Sequence, residues 1–230
     1  MMNTSYFRIA QLVLTGLTLV FAIAVLGTSA HTLSVFNKQH EFNPWWAPLW
    51  SDHFDVNGTK MLLGSAVVVM LLNAVYLVIS FLPNFNLATR PTFRAFITLC
   101  TVLPSAFLTI SAVALAHVLN HNSPDVDTIQ TWTCKFGARD DSVSVKAPSD
   151  ISNAAFPKLC TESKFALYTT LVIFLLQGIT VALTVVGWIA EQLAKRKQTK
   201  DAEWQDASSV EMAAPQFPRT SGPIPQPPPY

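Results

Sequence analysis

Four runs of this chain, each at least 21 residues long, carry no lysine, arginine, aspartate or glutamate: Ile9–Ala30, Met61–Phe81, Phe96–Leu119 and Phe165–Ala190. About 20 such residues are needed to cross a hydrocarbon core of ~30 Å. With no water there to satisfy backbone N–H and C=O groups, a spanning segment of this kind must be a helix. The predicted fold class is therefore an all-α membrane protein. It is a four-transmembrane-helix bundle over residues 1–194 with a disordered proline-rich tail over 195–230. Composition agrees, because only 13% of residues are charged where soluble domains carry about 25%. The first run has a competing reading. Arg8, an apolar stretch and then Thr28-Ser29-Ala30 also resemble a cleavable signal peptide, although the apolar stretch exceeds the usual 7–15 residues.

Charge around the runs sets an expected orientation. Arg8 precedes the first run, Arg90 and Arg94 fill the turn 82–95, and Lys195, Arg196, Lys197 and Lys200 follow the fourth. All fall on one side, and the positive-inside rule makes that side cytosolic, together with both termini. The segments 31–60 and 120–164 then face outward. Of three cysteines, Cys134 and Cys160 share the second of these outer segments, which points to an extracellular disulfide loop. Cys100 lies inside the third run and reads as a small packing residue. Asn57-Gly58-Thr59 is an outward glycosylation acceptor pattern, so Asn57 is a glycosylation candidate.

The runs contain no charge that would mark an ion pathway. Gln11, Asn73 and Gln177 are their main interior polar groups, and the expected role is hydrogen bonding between helices. Pro104 should interrupt the helix ladder of the third span. Trp45, Trp46 and Trp50 crowd the first outer segment. Indole favours the membrane interface, so these three are expected to lie on the outer leaflet or pack over the bundle; a partner-binding patch is the alternative. The same segment holds His31, His40, His53, Asp52 and Asp55, whose spacing matches no compact metal-ligand motif. No catalytic pattern occurs, and no basic patch interleaved with aromatics suggests nucleic acid. The expectation is a non-enzyme with no cofactor and no metal, in contact with membrane lipids and open to homo-oligomerisation.

Beyond Ala194 the chain turns polar. Residues 201–230 hold too little apolar surface to fold alone and read as disordered. Pro227-Pro228-Pro229-Tyr230 fits Pro-Pro-any-Tyr. Prolines pre-set polyproline II, so little entropy is lost on docking into an aromatic groove. Pro227, Pro228 and Tyr230 are thus expected to bind a WW-domain partner such as a ubiquitin ligase, with Lys195, Lys197 and Lys200 as ubiquitin acceptors.

The four spans, the basic central turn and segments such as FRIAQLVLTGLTLVFAIAVLG resemble the fungal MARVEL-like four-span proteins over residues 6–194. Trp46, Leu49 and Trp50 also resemble the first loop of claudin-like proteins, which place their cysteine pair in that loop; here the pair is in the second. The MARVEL-like resemblance implies a membrane organiser or trafficking protein of the plasma membrane or endomembranes. A small-solute channel or transporter past Asn73 and Gln177, or a sensor using the tryptophan segment, are the alternatives.

Overall fold

The computed structural model describes residues 4–41, 50, 54–82, 91–123, 125–137 and 153–211. The elements are α1 (Thr4–Glu41), β1 (Phe54–Asp55), α2 (Asn57–Phe81), α3 (Pro91–His121), β2 (Asp127–Thr128), α4 (Ile129–Gly137), a 3₁₀ turn (Asn153–Ala155) and α5 (Phe156–Glu211). Helices α1, α2, α3 and α5 are long and apolar enough to cross a membrane. Each contains one of the uncharged runs and extends beyond it. At 1.5 Å per residue, the 38 residues of α1 reach about 57 Å. Roughly half of that suffices for the hydrocarbon core, and the surplus becomes a stalk.

The four helices run up and down. Gln11 of α1 bonds Thr184 midway along α5, whereas His31 of α1 meets Glu162 near the start of α5. Gly58 opens α2 within 3.5 Å of Ala116, near the end of α3. The outward surface is apolar, as lipid requires: Val13, Leu17 and Val20 on α1, Leu71, Val75 and Val78 on α2, Phe107 on α3, and Leu175, Ile179 and Val186 on α5 are all exposed. A soluble protein does not cover itself this way.

The interior is layered. Ala22, Val25, Ala66, Val69, Ala166 and Ile173 form a buried apolar layer across α1, α2 and α5. A second cluster of Leu62, Ala112, Ala116 and Leu167 joins α2, α3 and α5. On the side away from the α1–α2 connection lies a polar layer. Gln177 donates to Ser105 Oγ at 2.9 Å and accepts from Thr109 Oγ1 at 3.2 Å. Gln11 donates to Thr184 Oγ1 at 2.9 Å. The expected interhelical role thus holds for Gln11 and Gln177. Asn73 differs: its amide donates to Val69 O, one turn back in its own helix, at 2.7 Å.

Three sequence expectations need correction. Arg94 does not lie in a turn; it sits in the first turns of α3 and is buried. The segment 120–164, expected as a disulfide loop, contains β2 and α4. Residues 195–211 are helical rather than disordered, as the continuation of α5. No glycine or proline stands between Gly187 and Pro215, and residues rich in Ala, Glu, Gln and Lys are good helix formers. They propagate a helix whose costly nucleation the apolar span has already met. Residues 1–188 form one compact unit and 189–230 a second.

Candidate functional site at the capped end of the bundle

The surplus length of α1 sets up the capped end. Its stalk carries Leu33, Val35 and Phe36 on one side, and these meet Trp50, Phe54, Ile129, Trp132, Phe136, Phe156 and Leu159 in one apolar cluster. Trp50 is fully buried there. Its indole stands edge-on to Phe36 (4.9 Å, 81°) and to Phe54 (5.2 Å, 89°), and Phe156 tilts against it at 5.1 Å. Edge-to-face pairs of this kind suit the ring quadrupoles. Trp50 therefore packs inside the cap rather than lying on a leaflet. Trp45 and Trp46 fall outside the described residues.

Two covalent and backbone ties hold the cap. Phe54 and Asp55 pair in parallel with Asp127 and Thr128, so the α1–α2 connection is stitched to the α3–α5 connection. Cys134 of α4 is joined to Cys160 of α5 by a disulfide, with Cα atoms 4.9 Å apart. Gly137 ends α4 directly against α5, where an added Cβ would lie 3.0 Å from Pro157 N. Only glycine allows that approach without displacing backbone. The start of α4 is fixed by reciprocal bonds: Thr131 N–H donates to Thr128 Oγ1 at 3.2 Å and Thr128 N–H to Thr131 Oγ1 at 2.9 Å. This is the logic of a capping box. Thr128 Oγ1 also donates to Asn120 Oδ1 at 2.6 Å, and Asn120 Nδ2 donates to Gln130 Oε1 at 3.0 Å, tying the cap to the end of α3.

Under the cap is a small chamber bounded by all four long helices and by β2 and α4, lined by Leu62, Ala116 and Ala166 together with Thr59, Asn120, Thr128 and Ser163. Between α1 and the start of α5, His31 Nδ1 lies 2.7 Å from Glu162 Oε2, and Lys158 Nζ lies 3.8 Å from Glu162 Oε1. Half-exposed pairs of this sort contribute little to stability. Among the described residues no group of three or more His, Cys, Asp or Glu side chains is placed to hold a metal ion.

The remaining predicted residues lie elsewhere. Asn57 is the exposed first residue of α2, and its N–H donates to Asp55 Oδ1 at 2.6 Å. Cys100 is exposed on α3 rather than packed inside. Lys195, Lys197 and Lys200 are exposed on α5. Pro227, Pro228 and Tyr230 lie outside the described residues. Sequence reasoning missed Phe36, Phe54, Ile129, Trp132 and Phe156 as core. A signal existed in α4, where Ile129, Trp132, Thr133 and Phe136 recur at helical spacing.

The fold defines a class: a four-helix bundle of membrane-spanning build whose one end is closed by a disulfide-tied aromatic cap. Within that class, the chain belongs to the family described as Domain of unknown function (DUF8762), whose model matches residues 2–217. That match takes in the whole bundle and cap. Comparison with curated proteins and with solved structures returns no match.

Proposed function

We propose that this chain is a non-enzymatic, multi-pass membrane protein that organises membrane domains or their traffic, with its C-terminal segment recruiting a WW-domain partner such as a ubiquitin ligase. The observation that carries the reading is the closed interior. The apolar layer of Ala22, Val25, Ala66, Val69, Ala166 and Ile173 separates the polar groups around Gln177 from the chamber under the cap. Gln177, Ser105 and Thr109 bond to one another, and Asn73 bonds to its own helix. That favours a packed scaffold over the alternative of a solute path past Asn73 and Gln177. The resemblance to MARVEL-like four-span proteins belongs to this proposal, as do cytosolic termini, an extracellular cap and residence in the plasma membrane or endomembranes.

On this reading Pro227, Pro228 and Tyr230 are the docking residues, and Lys195, Lys197 and Lys200, exposed on α5, are within reach of a recruited ligase. Deleting 227–230 in cells should abolish capture of WW-domain ligases and lengthen the lifetime of the protein at its membrane. Unchanged capture and turnover would sink the docking role. A glycan on Asn57, detected as an enzyme-sensitive mobility shift lost in Asn57→Gln, would support an outward cap; modification of an introduced cytosolic acceptor alone would reverse the orientation.

A further inference from the structure

Beyond the fourth uncharged run, α5 carries four cationic side chains within six residues: Lys195, Arg196, Lys197 and Lys200. All four are exposed. Residues 192–200 hold no aspartate or glutamate. The acidic residues of this extension come later, at Asp201, Glu203, Asp206 and Glu211. Charge is thus segregated along one helix, basic next to the span and acidic further out. Spacing adds a face. Leu193, Arg196, Lys197 and Lys200 stand at i, i+3, i+4 and i+7, which is one side of a helix. Together with Thr199 they line one open surface hollow. Leu193 is 54% exposed. An apolar residue followed by long basic ones on the same face suits a bilayer surface, the leucine toward acyl chains and the charged tips toward headgroups.

Depth decides what this face meets. The uncharged run ends at Ala190. At 1.5 Å per residue, Lys195 stands about 7.5 Å beyond it and Lys200 about 15 Å. One headgroup layer is roughly 5–8 Å thick, and the Debye length at physiological ionic strength is about 8 Å. All four cationic groups therefore lie within reach of headgroup charge even on an upright helix, and tilt brings them closer. A zwitterionic headgroup offers no net charge. An anionic one offers phosphate oxygens that the Arg196 fork matches in pairs. Pairing within the helix is the competitor, since Lys197 and Asp201 are four residues apart and Lys200 and Glu203 three. A lysine that precedes its acid is the weaker order for such pairs.

We propose that the basic turn 195–200 of α5 is a binding surface for anionic phospholipid headgroups, with Arg196, Lys197 and Lys200 facing the leaflet from which the span emerges. The inference rests on the multi-pass membrane reading. It needs neither the docking role of 227–230 nor a particular compartment.

Lipid selectivity of the full-length protein tests it. The protein is reconstituted into phosphatidylcholine bilayers with a trace of spin-labelled phosphatidylserine or spin-labelled phosphatidylcholine. The motionally restricted fraction of each label gives the preference for the anionic lipid. A basic residue at a charged surface attracts it by about fivefold, and averaging over all lipids around the bundle leaves an expected preference of about twofold or more at low salt. At 1 M salt, where the Debye length is ~3 Å, the preference should fall toward one. Replacing Lys195, Arg196, Lys197 and Lys200 together by glutamine should remove most of it, whereas Lys195→Arg, Lys197→Arg and Lys200→Arg together should keep it. Equal restriction of both labels by the wild-type protein overturns the proposal and is the result expected if the lysines only pair with Asp201 and Glu203. A preference that the glutamine variant retains also overturns it, because other basic residues such as Arg8 then supply the attraction. A protein that restricts neither label is not in the bilayer, which refutes the membrane reading and the inference with it.

Discussion

Replacing Trp50 by alanine is the most direct probe of the cap. The indole is fully enclosed and touches side chains from α1, the β1 strand and α5 at ring separations of 4.9–5.2 Å. Emptying a site of this kind costs about 3–5 kcal/mol, part transfer and part residual cavity. For a chain of this size each kcal/mol moves Tm by roughly 2–4 °C, so the expected fall is about 6–20 °C. The assay is thermal loss of the monodisperse species in detergent, followed by size exclusion after heating. Trp50→Phe should recover part of the loss by restoring a ring. In a double-mutant cycle Phe36→Ala should couple to Trp50→Ala by about 0.5–1.5 kcal/mol, the excess expected of an edge-to-face pair. Trp188→Ala is the control, since Trp188 is 40% exposed. If Trp50→Ala shifts Tm by less than about 2 °C, or no more than Trp188→Ala does, the indole lies at a lipid surface and the enclosed cap is wrong.

Three further outcomes follow from the same geometry. Replacing Cys134 and Cys160 together by serine opens a loop of 26 residues, and the chain-entropy relation gives a loss of about 3.5 kcal/mol; a wild-type Tm that does not respond to reductant would contradict it. Gln177→Leu removes bonds to Ser105 and Thr109 on α3 and should cost on the order of 0.6–2 kcal/mol. Asn73→Leu, whose amide among the described residues bonds its own helix, should cost less, and equal losses would refute the distinction. Gly137→Ala places a Cβ 3.0 Å from Pro157 N, which should cost about 1–3 kcal/mol and lower the oxidised fraction of Cys134–Cys160 on a non-reducing gel. Full oxidation at unchanged Tm would show that α4 and α5 are not in close contact.

Much of the bundle is legible in the sequence, because a span of uncharged residues obeys a one-dimensional rule. Length and the absence of charge suffice, whatever the neighbours are. The Cys134–Cys160 pairing was readable for a similar reason: two cysteines in one segment leave few choices. The interhelical bonds of Gln11 and Gln177 were readable in kind, since an amide inside an apolar span needs a partner. Local sequence did not say which partner, or that Asn73 would bond back to Val69 O instead. The helix over 195–211 is not legible in its own composition, because it depends on the span that precedes it. The cap was invisible for a deeper reason. Phe36, Trp50, Phe54, Ile129 and Phe156 come from four separate stretches of chain, none of them apolar enough to predict a core. What gathers them is the surplus length of α1, the two-residue pairing of β1 with β2 and the close approach that Gly137 permits. The number of helices able to cross a membrane and the apolar character of their outward face follow from the one-dimensional pattern, because lipid acts on each residue in turn. What closes the capped end emerges in the packed molecule alone, because it depends on side chains distant in sequence meeting in space.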